Sequence, residues 1–309
     1  MRRTAIAAGD VLRRIALASA VTTVAITAAM GAGAGLTAAA DAAGVPGTAS
    51  ALLGAAGGTV VVAHRGDAVA APENTVASIE AAVAAGADVV ELDVQRSSDG
   101  VPVLMHDWTI DRTTDGSGPI WAHTAAELTA LAADRDHPGG WPGARVPTLA
   151  EALDAAVGSG VVVMLELKGA WTPSQVAEVA ALAGARAMEE RVVLASFDLF
   201  SLRAAEAAAP AIPRLLLARS LPSIDVAVAD VAAAAVGVSR STALRDPAAL
   251  DGLAGAGVGA FVYTLNSAER WGTALALGAR GIITDDPAEL RDWLVGVADG
   301  PYSRPTSSR

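Results

Sequence analysis

From Thr59 to the carboxyl end, short β-rich runs alternate eight times with alanine-rich helical stretches, and this constrains the fold more than any other feature of the 309-residue chain. The runs span residues 60–63, 89–94, 161–166, 192–196, 214–217, 235–238, 260–264 and 281–284. Helical patterns with capping residues or a terminal Gly or Pro lie at 74–85, 148–157, 174–188, 199–208, 247–255 and 268–277. Such alternation predicts parallel strands joined by crossover helices, and eight repeats favour a closed (β/α)₈ TIM barrel over an open doubly wound sheet. Residues 107–147 break the rhythm with Gly, Pro, His and Trp, and read as an insertion or long loop at the barrel top.

The amino terminus stands apart from this pattern. Arg2, Arg3, Arg13 and Arg14 precede an uncharged run over 15–40 rich in Ala, Gly and Thr, which predicts an exported protein with a bacterial-type signal peptide over 1–40. Both the general and the twin-arginine routes fit, as does an uncleaved anchor, although so few Leu and Ile make a poor permanent span. Residues 41–58 read as a flexible linker, 59–296 as one catalytic domain and 297–309 as a disordered tail. The formal charge is −11, and removal of four Arg and one Asp with residues 1–40 leaves −14, a field that repels nucleic acid. Absence of cysteine excludes disulfides, a thiol nucleophile and thiolate metal sites.

Rare residues carry the chemistry. Lys168 is the only lysine beside 21 arginines, and Asn74 and Asn266 are the only asparagines. His64 and His106 each follow a short apolar run, where a barrel presents its active-site floor. In Val89-Val90-Glu91-Leu92-Asp93-Val94, alternation puts Glu91 and Asp93 on one face, about 6.5 Å apart along the strand. Two like charges facing a barrel interior call for a proton or a hard cation between them. Met164-Leu165-Glu166-Leu167-Lys168 repeats the spacing, so Glu166 is a candidate third ligand or, alternatively, the partner of Lys168.

The order of motifs is more specific than any of them. Ala63-His64-Arg65-Gly66, Pro72-Glu73-Asn74-Thr75, Glu91-Leu92-Asp93-Val94, His106-Asp107, Asp111-Arg112-Thr113-Thr114-Asp115-Gly116, Glu166-Leu167-Lys168, Tyr263-Thr264-Leu265-Asn266 and Gly281-Ile282-Ile283-Thr284-Asp285-Asp286-Pro287 together resemble the glycerophosphodiester phosphodiesterase family. The resemblance spans roughly residues 59–296 and implies a TIM barrel with a small insertion after the second strand. It implies His64 and His106 as the acid–base pair, one divalent cation, Ca²⁺ or Mg²⁺, on Glu91, Asp93 and Glu166, and Arg65 and Lys168 on the phosphate. It further implies a small glycerophosphodiester as substrate, while the acidic charge argues against a nucleic-acid partner and the Ala-, Gly- and Thr-rich run against stable membrane insertion once the signal is cleaved.

The remaining polar residues have weaker expectations. Asn266 is expected to touch the substrate phosphate, Glu73 to orient Arg65, and Asn74 with Thr75 to cap the following helix. Asp285-Asp286-Pro287 reads as a helix cap outside the metal set. A phosphodiesterase cutting intact lyso- or sphingophospholipids, and an inactive exported phosphate-ester-binding barrel, are the competing functions.

Overall fold

The structure, a computed structural model, describes residues 48–137, 139–221 and 225–298. The expected signal peptide, the first part of the expected linker and the tail from residue 299 lie outside the described residues. Among the described residues the strands are β1 (Val60–His64), β2 (Val89–Arg96), β3 (Pro102–Leu104), β4 (Val162–Leu167), β5 (Val192–Ser196), β6 (Arg214–Ala218), β7 (Ala233–Ser239), β8 (Gly259–Tyr263) and β9 (Gly281–Thr284). Eight of them run parallel and close into a barrel, β1 pairing with both β2 and β9, while β3 adds antiparallel to β2. Each of the eight expected runs is a barrel strand, displaced by at most two residues at either end.

The helices are α1 (Ala49–Leu53), α2 (Val76–Ala84), α3 (Ala125–Ala130), α4 (Leu149–Ala156), α5 (Pro173–Gly184), α6 (Leu199–Ala208), α7 (Arg240–Arg245), α8 (Pro247–Gly255), α9 (Ala268–Ala276) and α10 (Pro287–Ala298). Threonine boxes start α2, α3, α4 and α5, each Thr side chain accepting from the backbone N–H three residues on. Helix α5 ends at Gly184, short of the expected 188, because Ala187 turns left-handed at φ 53° and tucks Met188 into the core.

Period-two alternation sorts each strand into two faces. Val62, Val89, Met164, Ala195, Leu217 and Phe261 fill the barrel interior. Their neighbours Ala63, Val90, Leu165, Leu194, Val236 and Val262 face the surrounding helices. The same parity, carried to the carboxyl ends, aims His64, Asp93, Lys168, Phe197, Tyr263 and Asp285 over the mouth.

Two segments differ from expectation. Residues 49–53, inside the expected linker, form α1, whose Ala49 and Leu53 are fully buried in the inner core. This helix closes the amino-terminal end of the barrel: Gly54 bridges Val258, and Arg280 Nε donates to the Gly54 carbonyl at 3.0 Å. Gly259 lies so close to the Leu53 carbonyl that a Cβ has no room there. The 107–147 insertion is packed rather than a bare loop, with Met105, Ile110, Ile120, Leu128 and Val146 forming a small core of their own. Trp108 and Trp121 stay exposed on it and meet edge to face with centroids 6.3 Å apart.

Candidate active site

Every strand that ends in a polar residue delivers it to one end of the barrel. Register sets His64 beside Glu91 and Asp93 beside Glu166 on neighbouring strands. Acceptor oxygens of Glu91, Asp93 and Glu166 all lie within 4.8 Å of one another. Lys168 Nζ sits 3.1 Å from Asp93 Oδ1 and 2.9 Å from Glu166 Oε1, so Glu166 is both a cluster member and an ion-pair partner.

The carboxylates of the cluster shift in different directions. Burial, then the charge of Asp93, pushes the Glu91 carboxyl up to about 8. Glu166 also shifts up, from burial and then Asp93. Burial would raise Asp93 as well, but the Lys168 and Arg65 charges reverse the sign and hold it low. Glu91 Oε1 is buried with no hydrogen-bond partner, an orphan acceptor of the kind a bound cation satisfies. Three converging carboxylates with one free oxygen fit a hard, oxygen-ligated divalent ion.

Strained backbone frames this cluster. Arg65 and Asn74 are left-handed, at φ 60° and 55°. The Arg65 turn lets its N–H donate to Glu91 Oε2 at 2.9 Å. Asn74 donates from Nδ2 to Asp93 Oδ2 at 2.8 Å and accepts from the Asp93 N–H at 3.0 Å. It is therefore a clamp on Asp93, and the cap of α2 is Thr75 alone. Glu73 orients Arg65 as expected, accepting from its Nη1 at 2.9 Å. Arg65 Nε lies 3.4 Å from Asp93 Oδ2, buried and without a hydrogen bond.

Both histidines are held the same way. Nδ1 of His64 lies 2.6 Å from Asp285 Oδ1, and Nδ1 of His106 lies 2.6 Å from Asp107 Oδ1. A carboxylate at Nδ1 keeps the proton there and leaves Nε2 as the working nitrogen. Asp107 is anchored by Arg112 Nε at 2.6 Å, and Arg112 also forks onto Glu73. Gln95 Nε2 donates to the carbonyls of Met105, His106 and Asp107, fixing the loop that carries this histidine.

Asp285 is the residue missed by reading Asp285-Asp286-Pro287 as a cap. Asp286 does cap α10, accepting from Glu289 N at 2.9 Å, whereas Asp285 turns to His64. Asn266, expected on the phosphate, holds Asp285: its Nδ2 donates to Oδ2 at 2.5 Å and its Oδ1 accepts from the Asp285 N–H at 2.9 Å. Strand parity, with Ile283 inward, was the signal for Asp285. Trp271 is fully buried helix packing and donates from Nε1 to the Leu265 carbonyl.

A cavity of about 190 Å³ joins these groups. His64, Arg65, Glu91, His106, Glu166 and Lys168 line one side, and Phe197, Leu217 and Tyr263 the other. Paired imidazoles and clustered carboxylates lining a cavity at a TIM-barrel mouth are the groups of a hydrolase-type active site.

The sequence profile of the glycerophosphoryl diester phosphodiesterase family matches residues 64–289. The chain is 32% identical over 234 residues to a glycerophosphodiester phosphodiesterase of Caldanaerobacter subterraneus, covering 75% of this chain and 96% of that protein. It is 30% identical to one of Bacillus subtilis, covering 74% and 84%. Among solved structures it is similar to an Oleispira antarctica phosphodiesterase in complex with the product sn-glycerol-3-phosphate, with TM-score 0.71, 28% identity and coverage of 76% and 96%. The chain belongs to the glycerophosphoryl diester phosphodiesterase family.

Proposed function

We propose that this phosphodiesterase hydrolyses glycerophosphodiesters to glycerol 3-phosphate and an alcohol, with Glu91, Asp93 and Glu166 holding one divalent cation and His64 and His106 moving the protons. The observation that carries the reading is that both histidines, each fixed at Nδ1 by its own aspartate, line the small cavity that also holds Glu91 and Glu166. The product held by the Oleispira antarctica relative supports the substrate class.

When bound, the cation supplies Lewis-acid polarisation of the phosphoryl group and neutralises the carboxylates. Lys168, now paired with Asp93 and Glu166, and Arg65 would bind the equatorial phosphate oxygens. One imidazole Nε2 takes the proton of the attacking hydroxyl and the other returns a proton to the departing alkoxide. The attacking group is the substrate's own glycerol hydroxyl, giving a cyclic phosphate that water then opens, so diesters without a neighbouring hydroxyl react poorly. Of the two ions, calcium is favoured by the export that residues 1–40 suggest, and the enzyme works outside the cytoplasm.

The exposed Trp108 and Trp121 beside the mouth favour a second reading, hydrolysis of intact lysophospholipids. One assay separates the readings: the protein is incubated with glycerophosphocholine or lysophosphatidylcholine, with and without chelator, beside His64→Ala. Chelator-sensitive release of glycerol 3-phosphate from the first, absent in the variant, is the expected result. Chelator-resistant turnover, an active variant or preference for the lysolipid contradicts the proposal.

A further inference from the structure

Phosphoryl chemistry occupies the β1, β2 and β4 side of the mouth and leaves the β5, β6 and β8 side without a role. There the alternation that buries Ala195, Leu217 and Phe261 in the inner core carries Phe197 and Tyr263, two residues further on, into the cavity wall, and Arg219 follows the end of β6. Phe197 and Tyr263 meet edge to face with centroids 6.0 Å apart, and Tyr263 is fixed by donating its hydroxyl to the Ala218 carbonyl at 3.1 Å. The Arg219 guanidinium lies 5.3 Å from the Phe197 centroid. Arg203 pairs with Asp230 and Arg240 with Glu269, but Arg219, exposed, has no carboxylate partner among the described residues.

Resting on the phosphodiesterase reading above, we infer that Phe197, Tyr263 and Arg219 form the subsite of the leaving alcohol and select alcohols that carry a negatively charged group. With phosphorus held at Arg65 and Lys168, the alcohol leaves across the opposite wall. An open aromatic face would suit a quaternary ammonium. Here the Phe197 face is already covered by a guanidinium, so a trimethylammonium group meets like charge, whereas a phosphate or carboxylate meets a planar donor fork.

Two substrate pairs, each differing mainly by one anionic group, test this and separate the two anions. They are glycerophosphoinositol 4-phosphate against glycerophosphoinositol, and glycerophosphoserine against glycerophosphoethanolamine, with glycerophosphocholine as the cationic reference. The anionic member of at least one pair has the higher kcat/KM by about three- to tenfold at low salt, and the ratio shrinks as salt screens an exposed charge. Arg219→Gln brings that ratio close to unity, Arg219→Glu inverts it towards glycerophosphocholine, and Arg203→Gln on the outer face leaves it as in the wild type. Wild-type ratios near unity in both pairs, a preference for the choline diester, or a ratio untouched by Arg219→Gln overturns the inference while leaving the phosphodiesterase reading intact. Failure to cleave any of the five diesters overturns both.

Discussion

Nδ1 of His64 and Oδ1 of Asp285 lie 2.6 Å apart although 221 positions separate the residues in sequence. Barrel closure makes the contact, because the first strand and the last are neighbours. Burial alone would lower the His64 pKa, but the Asp285 hydrogen bond and the Glu91 charge outweigh it and the net shift is upward. Asp285→Asn removes the hydrogen-bonded charge, so His64 should titrate at lower pH and kcat should fall by about 10²-fold. Histidine NMR against pH, beside a pH–rate profile, checks this, and an unmoved His64 titration contradicts it.

The second histidine depends on a different chain of contacts. Arg112 holds the Asp107 carboxyl down at about 2, so this aspartate stays charged and anchors Nδ1 of His106. Arg112→Gln frees Asp107 and one side of Glu73 together. We expect kcat to drop by about tenfold or more. If steady-state kinetics show only a KM change, the residue is not positioning the proton-transfer group.

Cation-free protein should lose stability as the medium becomes more alkaline. Glu91 is raised to about 8 from an ordinary 4.5, so between those values the folded state binds the extra proton and stability declines with rising pH. Thermal melts in chelator from pH 5 to 9 should show Tm falling across roughly that window. Added divalent cation should restore it, and Glu91→Gln should flatten the slope. A chelated wild type whose Tm rises over the same range contradicts the assignment.

Leu53 is a plug residue, fully buried although it lies before the first strand. Leu53→Ala should cost about 2–5 kcal/mol of unfolding free energy. Urea denaturation measures it, and a change below about 1 kcal/mol would return the segment to linker status.

The barrel was legible in the sequence because strands buried on both faces need continuous Val, Ile, Leu and Ala, bounded by turn residues. Period two likewise puts Glu91 with Asp93, and Glu166 with Lys168, on one face of each strand. Helix α1 was not legible, since five residues with one Leu pair, Leu52-Leu53, in an Ala- and Gly-rich stretch are too short to show a helical period, and its burial arises from Gly259 and Arg280, over 200 residues away. Asn74 was mistaken for a cap because its neighbour Thr75 is one, and only the left-handed φ of 55° turns its amide towards Asp93. Asp285 was hidden by Asp286, whose capping explained both acids at once.

Diffraction from crystals soaked in Mn²⁺, recorded at the manganese absorption edge, tests the central claim most directly. A single anomalous peak should lie among the carboxylates of Glu91, Asp93 and Glu166, and it should vanish in Glu91→Gln with Glu166→Gln. No peak at that point in the wild type, or one that survives loss of both glutamates, would show that the cluster does not hold the ion.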